Sequence, residues 1–518
     1  MVFPVPVELL QWSQIQHLSL FPNPYSISLL FSLLLLLLWI NRVRARKSIN
    51  LPPSPPRLPI IGHLHLLGAL PHRSCQTLSK KYGPLILLKL GKIPTLVVQS
   101  AEMAKEIMKT HDIIFADRPS ITASKHFLYD GKDLVFARYG EHWRQMRRLC
   151  TLDLLSVKRV QSFRSVQEEE ISNMVDKIRE RISLQQEVNV SELILTVTNN
   201  VISRIALSRR LGNSEYGESV KDAMNLFGHS TVEDMFPLLK WIDVLTGVHK
   251  RMKTTSTTIL QFFDKVIEEH LMARKNNGEQ SGRRDFVDLL LDYEEDSQLT
   301  GAEFTRENLK GVLMNMFTAG TDTTYVTIEW AMAELVSHPH VMKKLQEEIR
   351  RVVGDTKYGV DENVINQMGY LNCVIKEVLR MHPAAAMSVP RESTASTLVE
   401  GYTIPAKTKV LINLWAINRD PKIWEKADEF IPERFINNPI DFRGQNFDFI
   451  PFGAGRRGCP GISFAIASVE SILANLLYWF DWELPGSEVK MDVDMTEVFG
   501  LTVGMKYPLH LVPKCHSF

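Results

Sequence analysis

Near the C-terminus the chain reads Phe452-Gly-Ala-Gly-Arg-Arg-Gly-Cys459-Pro-Gly461, a glycine-rich loop delivering one cysteine to the start of a helical pattern. Few folds can use such a loop. Its Gly453-x-Gly455-x-x-Gly458 spacing is shared with the dinucleotide fingerprint, which needs a strand before, a helix after and an acidic residue about 20 positions on. Phe447 to Ile450 reads as a short strand, Ile462 to Tyr478 as a helix, and Asp481 and Glu483 supply the acids. The fingerprint, however, opens a domain of several strand–helix units. Only 60 residues follow Gly458, and they show no such alternation. Standing alone, Cys459 would read as an ordinary small buried residue. A thiolate presented by a loop is also suited to ligate haem iron, where it favours O–O bond cleavage.

The 518 residues are 45% hydrophobic, enough to bury one large core. With 60 basic against 59 acidic residues the net charge is +1, which gives no footprint for nucleic acid. The five cysteines (75, 150, 373, 459 and 515) are scattered and form no CxxC pair. That pattern argues against a disulfide framework and suits a reducing compartment. None of the 15 histidines has metal-ligand spacing; His63 with His65, and His338 with His340, read as surface or turn residues.

From Leu9 to Asn41 there is no charged residue, and Ser26 to Ile40 is almost wholly apolar. A membrane span needs roughly 17–25 residues, so the run sits at the lower limit with Tyr25 and Asn41 counted. A cleaved signal peptide would carry a basic leader and a small-residue cleavage site. Here Arg42, Arg44, Arg46 and Lys47 follow the apolar run instead, placing that flank on the cytoplasmic side. The expectation is one N-terminal transmembrane helix within residues 1–47, with the rest in the cytosol. Residues 48–62 hold Leu51-Pro-Pro-Ser-Pro-Pro-Arg-Leu-Pro59, a stiff, extended hinge that cannot continue a helix. Residues 63–518 would be the folded body.

Within the body, Leu85–Leu90 and Thr95–Val98 read as a hairpin, and Lys409 to Asn413 as a further strand. From Ala101 to about Arg380 the pattern is mainly helical. Lys275 to Arg284 is a loop too short to separate domains. The expected class is mainly α, a large helical body with a small β subdomain.

The longest helical pattern runs from about Glu307 to Ser337, with Thr305 as N-cap and Pro339 beyond its end. Its centre reads Phe317-Thr-Ala-Gly320-Thr-Asp322-Thr323-Thr324. Glycine and threonines are poor helix formers, and threonine hydroxyls divert backbone carbonyls. Read alone, this is a harmless threonine-rich turn. Beside a haem-ligating cysteine it gains a role: Gly320 leaves room for O2, and Asp322 and Thr323 supply protons. Glu377 and Arg380, spaced i, i+3, read by themselves as a routine surface pair. Arg434, in Pro432-Glu-Arg-Phe435, offers the same carboxylate a second arginine. Trp143 and Arg147 share one helical face, suited to an anionic group, although a packed Trp beside a solvated Arg is the plain alternative. Arg391 could serve an anion likewise.

Taken in order, these segments resemble the cytochrome P-450 family: W-x-x-x-R, A-G-x-D-T-T, E-x-x-R, P-E-R-F and the haem loop F-x-x-G-x-R-x-C-x-G are all intact. The resemblance covers essentially the whole chain. Phe115-Ala-Asp-Arg-Pro119, the proline hinge and Arg443-Gly-Gln-Asn-Phe447 are similar to the plant microsomal, A-type members. The resemblance implies haem b with Cys459 as axial thiolate, Phe452 beside the sulfur, and Trp143, Arg147, Arg391 and Arg457 as propionate partners. It implies oxygen activation by Asp322 and Thr323, and a structural Glu377–Arg380–Arg434 triad. It places substrate against Arg118 to Val135 (with Phe127 and Leu128), Phe317, Ala319, Met387, Val389 and Phe499 to Leu501. Small residues in His382-Pro-Ala-Ala-Ala-Met-Ser-Val-Pro390 depart from relatives and suggest extra room there.

The implied activity is a monooxygenase of the endoplasmic reticulum membrane, single-pass, its catalytic domain facing the cytosol. It would use O2 to hydroxylate or otherwise oxidise a small hydrophobic plant metabolite: a terpenoid, alkaloid, phenylpropanoid or furanocoumarin. Electrons would come from an NADPH-dependent flavoprotein reductase, with cytochrome b5 as a further donor; Arg147, Arg148, Arg456 and Arg457 offer a docking patch. An oxidative cyclase or bridge-forming enzyme fits the same motifs. An isomerising haem-thiolate enzyme and a non-catalytic haem scaffold are both disfavoured by the presence of Thr323.

Overall fold

The computed structural model describes residues 28–30, 32–34, 50–211, 215–277, 284–300, 304–356, 359–486 and 492–517. The chain divides into two compact units, Met1–Leu51 with Glu400–Thr403, and Pro52–Val399 with Ile404–Phe518. In the first, residues 28–30 and 32–34 are helical and carry the exposed leucines 29, 30, 33 and 34. Asn50 Nδ2 donates to the Gly401 carbonyl at 2.8 Å. The rest of the expected membrane span lies outside the described residues.

The second unit is mainly helical. The helices that position the site are α1 (Glu141–Leu149), α2 (Arg164–Ser183), α3 (Val190–Leu207), α4 (Arg306–Ser337), α5 (Gly369–Met381) and α6 (Ile462–Trp479). The central helix α4 is buried along nearly its whole length, so it lacks an amphipathic stripe and was legible by its caps instead. The Thr305 backbone N–H and hydroxyl both donate to Asn308 Oδ1, and Pro339 opens the next helix. Helix α6 is long and apolar enough to cross a membrane, but its apolar face is buried in the main core with Tyr478 and Leu477.

A four-stranded sheet carries one edge of the unit. Strand β1 (Leu85–Leu90) runs antiparallel to β2 (Ile93–Val98), as the sequence predicts. Strand β2 is parallel to β4 (Lys409–Ile412), and β4 is antiparallel to the short β3 (Arg391–Glu392). The Arg391–Val410 register fixes where the Arg391 side chain leaves the sheet.

Four readings are corrected. Phe447 to Ile450 contains no strand and forms turns, so the local imitation of a dinucleotide unit disappears. His63 lies at a turn but is buried: its Nε2 meets the Pro55 carbonyl at 2.9 Å and its Nδ1 accepts the Lys89 N–H at 2.7 Å. Glu377 and Arg380 are fully buried rather than a surface pair. The loop expected at Lys275–Arg284 begins later, because the preceding helix runs to Asn277 and 278–283 lie outside the described residues.

Burial of Glu377 and Arg380 is tolerated because every charge finds partners. Arg380 Nε and Nη2 meet both Glu377 oxygens at 2.8 and 2.9 Å. Its remaining donors reach the carbonyls of Asn418, Ala427 and Glu429. Arg434 Nε and the Ile431 N–H complete the carboxylate at 3.0 and 2.8 Å. The triad thereby ties α5 to the segment leading into the cysteine loop.

Candidate active site

The loop is built by backbone geometry. Gly453 and Gly455 have φ of +70° and +67°, a region that disfavours side chains. At Gly455 a Cβ would stand 2.2 Å from the Met108 carbonyl oxygen. The turn brings the Cys459 N–H to the Phe452 carbonyl at 2.9 Å, and the Gly461 N–H donates to Cys459 Sγ at 3.3 Å. Burial pushes the Cys459 thiol up, opposed by the Gly461 N–H and the Arg147 guanidinium. A bound metal would reverse that balance, since a coordinating thiol is deprotonated outright.

Around the loop the structure gathers all the expected anion-binding residues. Arg147 Nη1, on α1, donates to the Gly458 carbonyl at 2.6 Å. One turn back, Trp143 is buried, with the Arg457 guanidinium 4.5 Å above its ring. Arg457 also donates to the carbonyls of Ala116 and Ala137 at 2.8 and 2.6 Å. Arg391 donates to the Ala454 carbonyl at 3.2 Å and faces Asp112 at 3.5 Å. Phe452 lies half-buried at the loop's start, its ring against Phe442.

A further arginine joins them. Arg118, which the family resemblance places on the substrate side, is buried and donates to the carbonyls of Val389, Pro390 and Val135 at 2.8, 2.7 and 3.0 Å. Burial and the nearby Arg457 and Arg391 push it well below the ordinary arginine range. Burial, then Arg391, brings Arg457 down to about 10. Arg391 is lowered by burial as well. Cations buried this close destabilise one another unless anions join them. The signal for Arg118 was present in Phe115-Ala-Asp-Arg-Pro119, but a motif alone does not say which way an arginine turns.

Asp322 and Thr323 stand apart from this group, on α4. Burial pushes the Asp322 carboxyl up, opposed by a 2.7 Å hydrogen bond from Thr502 Oγ1. Thr502 is a partner that no local sequence pattern singles out. Thr323 Oγ1 donates to the Ala319 carbonyl at 2.7 Å, and Thr327 Oγ1 to the Thr323 carbonyl at 2.8 Å, so hydroxyls divert carbonyls on successive turns here. At Gly320 a Cβ would stand 2.8 Å from Ile202 Cδ1, so close helix approach by α3 requires this glycine. Ala319 is exposed although Leu309 to Thr318 are buried, so this turn of α4 borders an open space.

The residues present fit a haem. A sulfur accepting a backbone N–H, four guanidiniums suited to two carboxylates, and an open space at Ala319 are the required parts. Of the expected substrate-side residues, Phe127 and Phe317 are fully buried, their rings against Phe227 and Phe263. Met387 packs with the core under the sheet. In the expected docking patch, Arg148 and Arg456 are exposed, whereas Arg147 and Arg457 turn inward.

A family model described as Cytochrome P450 matches residues 52–508. The chain is 53% identical to Cytochrome P450 71A1 of Persea americana over 88% of its own length and 91% of the relative's. It is 48% identical to phenylacetaldehyde oxime monooxygenase CYP71AN24 of Prunus mume, over 91% and 90% of the two lengths. Among solved structures, a zebra fish cytochrome P450 with abiraterone superposes with a TM-score of 0.72 at 25% identity, covering 86% of this chain and all of the other.

Proposed function

Because the chain belongs to the cytochrome P450 family, and is therefore a haem-thiolate monooxygenase of the plant type, we propose that Cys459, the arginine cradle and the Asp322–Thr323 turn divide its work as follows. Haem, held by a cysteine thiolate, would supply dioxygen activation with electrons from a reductase, so that one oxygen atom enters the substrate and the other leaves as water. Cys459 is that ligand. The Gly461 N–H shares the sulfur's charge and tempers its donation. Arg147 fixes the loop through the Gly458 carbonyl. Arg118, Arg391 and Arg457 hold the two propionates, with Trp143 as the surface on which Arg457 rests and Phe452 shielding the sulfur.

On α4, Asp322 holds a proton and Thr323 passes it on. Burial pushes the Asp322 carboxyl up, toward the protonated form that is able to donate. The small, exposed Ala319 keeps that side of α4 open, whereas Gly320 faces α3. The observation that carries this reading is that buried Arg391 hydrogen-bonds the loop that presents one sulfur, beside that loop's own Arg457 and the buried Arg118.

The preferred substrate is a small hydrophobic specialised metabolite, admitted by the apolar residues beside Ala319 and Met387. An aromatic aldoxime is the first probe, because the Prunus mume relative is named for one. Cytochrome b5 is an auxiliary donor. Residues 1–47 form the membrane anchor, 48–62 the hinge and 63–518 the catalytic body, on the cytosolic face of the endoplasmic reticulum. Exposed Leu238, Trp241, Val244 and Leu245 form an apolar patch consistent with a membrane surface. The test is to incubate the full chain with a plant reductase, NADPH, O2 and a metabolite set that includes phenylacetaldehyde oxime. Product that requires all three co-reactants is expected. Product formed without NADPH or O2 would instead favour an isomerising reaction.

A further inference from the structure

Successive side chains of a strand leave opposite faces. On β4, Val410 and Ile412 take one face and are fully buried, whereas Lys409 and Leu411 take the other and stay partly exposed. Leu411 packs there against a cluster that includes Val97 and Met387, and Phe499 packs against the same cluster. Met387 and Phe499 are two of the residues expected beside substrate. Lys409 is thus a cation on an apolar face shared with the substrate side.

Its ammonium has no hydrogen bond or ion pair among the described residues. Each neighbour that could neutralise it is engaged elsewhere. On β2, Thr95 stands beside it in register, neutral and buried. On β3, Glu392 lies directly opposite, where side chains share a face, yet its carboxylate takes Lys407 Nζ at 2.7 Å instead. The segment 231–236 closes in from the β1–β2 turn, where the Lys92 N–H donates to the Met235 carbonyl at 2.9 Å. Its Asp234 acts on Lys409 without pairing with it, because the carboxylate is already occupied. Asp234 Oδ1 accepts the Thr122 N–H and hydroxyl at 2.8 and 3.0 Å, and Oδ2 the Thr231 N–H at 3.2 Å. Burial pulls the Lys409 ammonium down, with Asp234 opposing. A lone ammonium kept from water costs free energy until an anion joins it. Lys409 remains partly exposed, so a group the size of a carboxylate oxygen can reach it.

We propose that Lys409 is a substrate-recognition residue that binds the carboxylate of a hydrophobic acid, whose apolar body lies against Leu411, Met387 and Phe499. The proposal rests on the reading that Met387 and Phe499 border the substrate. It singles out, among hydrophobic metabolites, those carrying an acid at one end. An ammonium and a carboxylate form a charge-assisted hydrogen bond, roughly twice as strong as a neutral one. One such anion completes the site, since Asp234 and Glu392 already have their partners.

The test uses equilibrium dialysis of the haem-loaded full chain, Lys409→Met and Lys409→Arg against ω-phenylalkanoic acids of graded length and their methyl esters. At least one acid should bind the parent and bind Lys409→Met about tenfold more weakly, the loss expected of one charge-assisted hydrogen bond. Lys409→Arg should keep that affinity, and the matching ester should bind all three proteins alike. Lys409→Met should melt at or above the parent, because it leaves no charge to bury. The proposal is overturned if no acid binds the parent, or if acid and ester weaken together in Lys409→Met. It is overturned equally if acid binding is unchanged in that variant; a lower melting temperature alongside would make Lys409 a counter-ion of Asp234. Failure of the functional reading is separate: the parent would then lack the thiolate band, while dialysis would still report whether an acid binds through Lys409.

Discussion

Thr323 illustrates how a single hydroxyl can serve two masters. In this structure it donates to the Ala319 carbonyl, one turn back along α4. Such back-bonding weakens a helix slightly, and a core helix gains nothing by it. The cost makes sense if the hydroxyl is needed on the open side of the turn. Thr323→Ala should leave folding and NADPH use largely intact but send electrons to peroxide; product formed per NADPH is the measurement. Unchanged coupling would remove Thr323 from the mechanism. At this scale the sequence was informative wherever a residue type is rare in its setting: a lone cysteine among glycines, threonines at a helix centre. It was silent where orientation decides. Arg118 turns toward the cradle rather than the substrate, Thr502 arrives from a distant segment, and His63 is buried by contacts with Pro55 and Lys89 that no local pattern announces.

Among the elements, the cysteine loop depends on a close approach by another backbone. The Met108 carbonyl lies where a Cβ on residue 455 would be, and φ there is +67°. Gly455→Ala should therefore displace the loop and abolish haem loading while most helical content survives; haem absorbance against far-ultraviolet dichroism checks this. Retained haem at wild-type stoichiometry would show that the loop can shift without consequence. Helices α4 and α6 were legible because caps and apolar runs mark their ends. The apparent strand at Phe447 to Ile450 was not, since four residues that alternate apolar and polar in a strand's manner can equally fill a turn. The Glu377–Arg380 pair was misread for a related reason. The i, i+3 spacing is the same on a surface and in a core, and only the arrival of Arg434 and four backbone groups tells them apart.

Over the whole molecule, contacts distant in sequence close the fold. Glu497 accepts from His72 at 3.0 Å and from Arg73 at 2.7 Å, joining the start of the body to its last segment. Burial alone would raise the Glu497 carboxyl, but these two hydrogen bonds outweigh it and hold it down at about 2. A depressed carboxylate stabilises the fold above its unfolded value, and that contribution is lost as pH falls through the folded one. From the ordinary 4.5 down to about 2 the clamp contributes on the order of 3 kcal/mol. Glu497→Gln should lose roughly that amount at neutral pH, with the gap closing between about pH 4.5 and 2; urea melts across that range measure it. A gap independent of pH would assign Glu497 a packing role only. The general architecture was accessible from the order of five motifs, each too short to be trusted singly. Which pairs of segments clamp the ends was not, because loop closure over 425 residues leaves no local trace.

The central claim, that Cys459 is the haem ligand, is tested most directly by the absorption of the dithionite-reduced protein under carbon monoxide. The full chain should show the long-wavelength Soret band typical of thiolate ligation, and Cys459→Ser should lose it. A serine variant that keeps the same band would contradict the assignment.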